Sequence, residues 1–99
     1  MRQVSYEVSK MCDVVAYKGP RTQSEVQEWL RNNHNCFVVV VPTAYKNGVN
    51  WEVQVLFYDN TTWDCWSNKS SACYGDNGEF ESYEDALEFG LKLALERLL

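Results

Sequence analysis

Apolar residues recur along this chain at several spacings, and each spacing predicts an element. Val4, Val8, Met11, Cys12 and Val15 follow i, i+4, i+7, i+8, i+11, a helical stripe. Ser5 stands where its hydroxyl would cap that helix. The same residues also alternate as a strand would; the helix is the reading taken here. Gly19-Pro20 breaks the chain. Thr22-Gln23-Ser24-Glu25 then has the form of a capping box, in which the Thr hydroxyl takes a free N–H and the Glu bonds back. Val26, Trp29 and Leu30 form one apolar face. Asn32, Asn33 and Asn35 end the helix, since Asn tolerates the left-handed conformation at a helix C-terminus.

The pattern changes at Phe37. Phe37 to Val41 are apolar on both sides of a two-residue period, which predicts a strand with cover on each face. Pro42 has no N–H for a ladder and places this strand at an edge or a bulge. Asn47-Gly48 predicts a tight hairpin. On the returning strand Trp51, Val53, Val55 and Phe57 point one way, and Asn50, Glu52 and Gln54 the other. Asp59-Asn60-Thr61 turns the chain again, and residues 62–66 form a short third strand. Residues 67–79 are polar and read as a loop. Ser82-Tyr83-Glu84-Asp85 caps a last helix with a broad apolar stripe through Ala86, Leu87, Gly90, Leu91, Ala94, Leu95 and Leu98. Glu88 and Lys92 are spaced as an i, i+4 pair. Gly90 inside a helix costs about 1 kcal/mol relative to Ala, which predicts close approach to another backbone there. The expected fold is one α+β domain over residues 1–99. Its order is α-α-β-β-β-α: a short N-terminal helix, a second helix, a three-stranded antiparallel meander and a C-terminal helix. The helices lie mainly on one face of the sheet.

The chain has 99 residues, 45% of them hydrophobic and 23% charged, which is a globular composition. Its net charge of −5 is unevenly spread. Glu79, Glu81, Glu84, Asp85 and Glu88 fall in a stretch with no Lys or Arg between Lys69 and Lys92. A phosphate backbone is bound by clustered cations, so direct nucleic-acid binding is not expected. The acidic residues have two readings: anions favoured near a helix N-terminus, or an acidic face that acts as a decoy for a host nucleic-acid-binding or defence protein. Residues 1–7 form no apolar leader, and the longest apolar run, Cys36 to Val41, is too short for a membrane span. A cytoplasmic location without membrane attachment is expected.

Reactive groups are few. The cysteines at 12, 36, 65 and 73 form no C-x-x-C and no zinc spacing, so neither metal nor cofactor is expected. They read as reduced thiols, some of them buried; Cys65 and Cys73 bracket a polar loop and could pair if oxidised. His34 is the one imidazole. A thiol enzyme would have to join it to Cys36 or Cys65, but residues i and i+2 of an extended chain lie roughly 7 Å apart. No enzymatic activity is expected. The aromatic surplus, 14% of residues, is more telling. If the sheet's second face is open, Val38, Val40, Tyr58, Trp63 and Trp66 form an interaction surface for a protein partner, a second copy of the chain included, which would make a homodimer. The competing reading covers that face with the N-terminal helix or the 67–79 loop.

Three stretches also carry a resemblance. Arg21 to Asn35 resembles the pattern P-T-Q-x-x-x-Q-x-W-L-R-x-x-H-N. Ser82 to Leu95 resembles T-Y-E-E-A-L-E-x-G-L-x-x-A-L, and Val4 to Lys10 is similar to T-Y-E-V-A-K. These patterns belong to small uncharacterised proteins carried by gut anaerobic bacteria and their phages. The likeness spans about half the chain and implies a phage or mobile-element context and a helix at residues 5–12. It assigns no chemistry. The chain departs from the pattern by Arg21 between Pro20 and Thr22, and by its long polar loop. The order over residues 22–99 is also similar to a double-stranded-RNA-binding domain. Glu81, Ser82, Tyr83, Glu84 and Asp85 stand where that module carries lysines, so RNA binding does not transfer. The 79–87 junction resembles the strand-to-helix turn of HicB-type antitoxins, which makes an antitoxin-like partner protein a further alternative.

Overall fold

A computed structural model describes residues 2–45, 48–58, 63–67 and 80–99, with residues 63–67 placed by their backbone. The class is α+β, with three helices and an antiparallel sheet. Helix α1 spans Tyr6–Val14, and Ser5 caps it by accepting from the Val8 N–H at 3.2 Å. The stripe predicted for it is the face it buries: Val4, Val8 and Cys12 lie in the core, with Met11 and Val15 against them. The helix ends in a Schellman motif, with the Tyr17 N–H on the Cys12 carbonyl and the Ala16 N–H on that of Asp13. Ala16 takes φ 62° to allow it, at a position usually held by glycine.

Helix α2 spans Gln23–His34 and buries Val26 and Leu30. It ends at Asn35, whose φ of 49° is the left-handed cap its sequence predicts. The expected capping box does not form. Thr22 occupies the N-cap position, yet its side chain makes no cap bond and its Oγ1 is buried without a partner. Backbone pairing does that work instead: Gln3 bridges Thr22, the Gln23 N–H donates to the Arg2 carbonyl, and the Val4 N–H donates to that of Arg21. Arg21 ties α1 to the start of α2. Its guanidinium donates to the Ser9 carbonyl, the Asp13 carboxylate and the Tyr17 carbonyl at 2.7, 2.7 and 3.0 Å.

Strand β1 spans Cys36–Tyr45 and β2 spans Gly48–Tyr58; β3, Trp63–Ser67, pairs with the far side of β2. The β1–β2 register closes with Tyr45 opposite Gly48, so Gly48 opens the returning strand rather than lying second in the turn. Strand β1 is an edge, as Pro42 predicts. The direction of its ladder follows from two contacts. The Tyr58 N–H donates to the Asn35 carbonyl, and Trp51 exchanges both backbone bonds with Phe80 on the other side of β2. Antiparallel alternation then turns the backbone groups of odd-numbered β1 residues towards β2 and those of Val38, Val40 and Pro42 outwards.

Helix α3 spans Tyr83–Leu98, capped by the Ser82 hydroxyl on the Asp85 N–H at 3.1 Å. It contacts β1, β2, α1 and α2 and buries Ala86, Leu87, Gly90, Leu91, Ala94 and Leu95. Gly90 marks its closest approach to the sheet. A Cβ there would sit 2.6 Å from both Val38 Cγ1 and Val53 Cγ2. The expected neighbour was backbone; the actual neighbours are two β-branched side chains, which crowd the helix surface as closely. On its far side α3 holds α1 by polar contacts: the Ser5 N–H donates to Glu88 Oε2 at 3.0 Å, and Lys92 pairs with Glu7 at 2.9 Å. Gln23, buried at the head of α2, donates to the Glu84 carbonyl and to Glu88 Oε1.

Candidate interaction surface

The two faces of the sheet follow from register. Cys36 and Val38 of β1 stand opposite Phe57 and Val55 of β2, and Val40 stands opposite Val53. Cys36, Val38, Val53 and Val55 are buried in the core, with Val40, Trp51 and Phe57 packed against it. Arg97 of α3 lies over the Phe57 ring at 4.2 Å and covers the end of this face. Among the described residues, α2 packs on β1, α3 packs on β1 and β2, and α1 packs on α3. Phe37, Val39 and Val41 alternate with the core residues and therefore point to the other, outer face, with Leu56 and Tyr58 beside them on β2. Val39 and Tyr58 are each 37% exposed.

This arrangement corrects the expected surface. Val38 is only 3% exposed and belongs to the core, and Val40 packs against it. The signal that separates them from the outer face was present in the sequence. A two-residue hairpin pairs even-numbered residues of one strand with odd-numbered residues of the other. Once Trp51, Val53, Val55 and Phe57 face the helices, Val38 and Val40 must do so too. Phe37, Val39, Val41 and Leu56 are the residues that reasoning missed. Tyr58 is exposed as expected. Trp63 and Trp66 lie in β3 opposite Tyr58 and Val55, and their side chains fall outside the described residues. The N-terminal helix does not cover the outer face; the 67–79 loop lies beyond the described residues except where Ser67 ends β3.

The acidic face is smaller than its composition suggests. Glu81 and Glu84 are exposed. Asp85 pairs with Arg2 at 3.2 Å. Glu88 is only half-exposed, and both its oxygens accept bonds that hold α1 and α2 in place, which removes it from any recognition surface. Glu79 lies outside the described residues.

Two of the four thiols, Cys12 and Cys36, and the His34 imidazole lie among the described side chains. Cys36 is fully buried, and burial pushes its thiol up to about 12, with Arg97 only partly offsetting the effect. Burial also raises the Cys12 thiol, against a smaller opposing influence of Arg21. His34 is exposed, and its ring packs edge-on against Trp29 at 4.7 Å. Cys65 and Cys73 lie outside the described side chains. Among the described residues no three His, Cys, Asp or Glu side chains gather as a metal site, and no helix is long and apolar enough to cross a membrane. Comparison with protein-family models, curated proteins and solved structures finds no match.

Proposed function

We propose that this chain is a non-enzymatic protein-interaction module of phage or mobile-element context, acting in the cytoplasm and binding protein through the outer face of a three-stranded meander. One observation carries the reading: Phe37, Val39, Val41, Leu56 and Tyr58 lie on the sheet face opposite the buried Val38, Val53 and Val55, with Val39 and Tyr58 each 37% exposed. Exposed apolar rows of this kind are a common basis of association. The raised thiols support the non-enzymatic part, because a thiolate rather than a thiol is the nucleophile. The decoy alternative is weaker, since Asp85 and Glu88 are engaged within the fold.

A photo-crosslinking residue at Val39 tests the reading in cells, with the same residue at Glu28 on exposed helix α2 as control. The Val39 probe is expected to capture one defined protein, this chain itself included. The capture should be lost with Leu56→Ser and Tyr58→Ser together. Equal capture from both positions, or none from Val39, would overturn it.

A further inference from the structure

A groove of about 290 Å³ lies between α2 and the edge of β1 that pairs with no described strand, lined by Gln27, Arg31, Tyr83 and β1 residues 37–40, Phe37 and Val39 of the outer face among them. Its floor is the strand edge. Ladder alternation turns the N–H and C=O of Val38 and Val40 into it. The Val38 carbonyl is already occupied, accepting from Gln27 Nε2 at 2.6 Å, which fixes the direction of this edge independently. Among the described residues, the Val38 N–H and both backbone groups of Val40 have no strand partner. Pro42, the next outward residue, offers no N–H and ends the donor row.

The groove's charge is one-sided. Arg31 is its only charged lining residue; it is exposed and makes no ion pair or hydrogen bond with any described residue. Helix α2 runs back into β1 through the Asn35 turn, so Arg31 stands near the start of β1. A strand added antiparallel to β1 ends beside the start of β1, and so beside Arg31.

We propose that this groove binds an extended peptide segment as an added antiparallel strand, with a carboxylate at the segment's C-terminal end held by Arg31. Main-chain bonds to Val38 and Val40 supply the pairing, and alternate side chains of the segment face Tyr83 and the wall of α2. Because the added strand ends beside Arg31, the carboxylate is the segment's own C-terminus, which an Arg fork receives in bidentate fashion. The inference rests on the reading of this chain as a protein-binding module but centres on the strand edge, where only Phe37 and Val39 are shared with the outer face.

Random ten-residue peptides displayed with free C-termini, selected on the full chain, provide the test. Selected peptides are then titrated against the wild type, Arg31→Glu, Val40→Pro and the outer-face variant Leu56→Ser, which lies outside the groove. Binding is expected to weaken about tenfold or more for Arg31→Glu and Val40→Pro, and to hold for Leu56→Ser. Amide exchange at Val38 and Val40 should slow on binding. Capping the C-terminus as an amide should weaken binding about as much as Arg31→Glu does, and undiminished binding of the amide overturns the assignment to Arg31. Since Arg31 is exposed, its variant keeps the fold even where Val40→Pro does not. Failure to enrich any peptide, or equal binding to Arg31→Glu and wild type, overturns the proposal. Binding lost only in Leu56→Ser overturns it too, while leaving the outer-face reading standing.

Discussion

Strand β1 offers its two faces nearly the same chemistry and meets two different fates. Cys36, Val38 and Val40 turn inwards under α2 and α3; Phe37, Val39 and Val41 turn outwards, where no described helix packs. Residue type does not separate the two sets, since both are apolar and largely β-branched. The number and placement of helices does. Helices α2 and α3 suffice to cover the inner face, and α1 is stacked behind α3, held by Glu88, Lys92 and Arg21, rather than carried to the outer side. The apolar run of β1 therefore records burial on one face and, on the function proposed above, contact surface on the other.

The sharpest way to break this comparison is one substitution on each face. Val38→Ser removes buried methyl groups and leaves a hydroxyl in the core, and should lower unfolding stability by about 3 kcal/mol. Val39→Ser, one residue along, should change it by about 0.5 kcal/mol. Urea titration of the two variants measures both. Equal losses would mean that the outer face is a second core and not a surface.

Gly90→Ala probes the inner face where helix and sheet are closest. The added methyl meets Val38 and Val53 at distances that neither can absorb without moving. Overpacking of this kind costs about 1–3 kcal/mol, against a gain of about 1 kcal/mol in helix propensity, so a net loss of up to about 2 kcal/mol is expected. A net gain in thermal midpoint would place α3 farther from the sheet than it lies here.

The buried thiol of the same face gives a pH-dependent test. Cys36 ionises near its ordinary value of 9.0 when unfolded and only at about 12 when folded. Above pH 9 the unfolded state therefore binds fewer protons than the folded one, and stability falls as pH rises. The stability is whole below pH 9 and declines between pH 9 and 12, by about 1.4 kcal/mol per pH unit for this thiol. Other groups titrate there as well, so the measurement is the difference between wild type and Cys36→Ala in urea midpoints at several pH values. Identical slopes in the two proteins would mean that the thiol reaches solvent in the native state.

Much of this architecture was legible in the sequence. The helical stripes from Val4 and from Ala86, the Asn35 terminus and the edge role of Pro42 all follow from local chemistry, and local chemistry decided them. The parity of β1 was legible too, through the length of its hairpin, although a run of four valines hides it from inspection. Three features were not legible. Thr22 fits a capping box by type, but pairing of residues 2–4 with 21–23 is a long-range event that no local pattern announces. Glu88 reads as a surface acid until α1 and α2 arrive at its two oxygens. The groove at Arg31 exists only because α2 lies beside the edge of β1, a matter of packing rather than composition.

The smallest expected effect belongs to neither face and so serves as their baseline. Ala16 holds the left-handed position of the Schellman motif at the end of α1, with φ 62°. An L-residue with a Cβ pays roughly 1–2 kcal/mol to stay there, and glycine does not. Ala16 is also exposed, so its methyl group contributes no core packing that glycine would lose. Glycine does carry more freedom in the unfolded chain, which offsets part of the gain. Ala16→Gly should therefore stabilise the protein by about 1 kcal/mol, read as a higher urea midpoint at unchanged slope. The spectra of Val38 and Val39 should stay unaltered, because the change acts on one backbone angle behind α3. A stability gain accompanied by shifts on the outer face would instead show that α1 reaches that side of the sheet, and the contrast between the two faces of β1 would have to be redrawn.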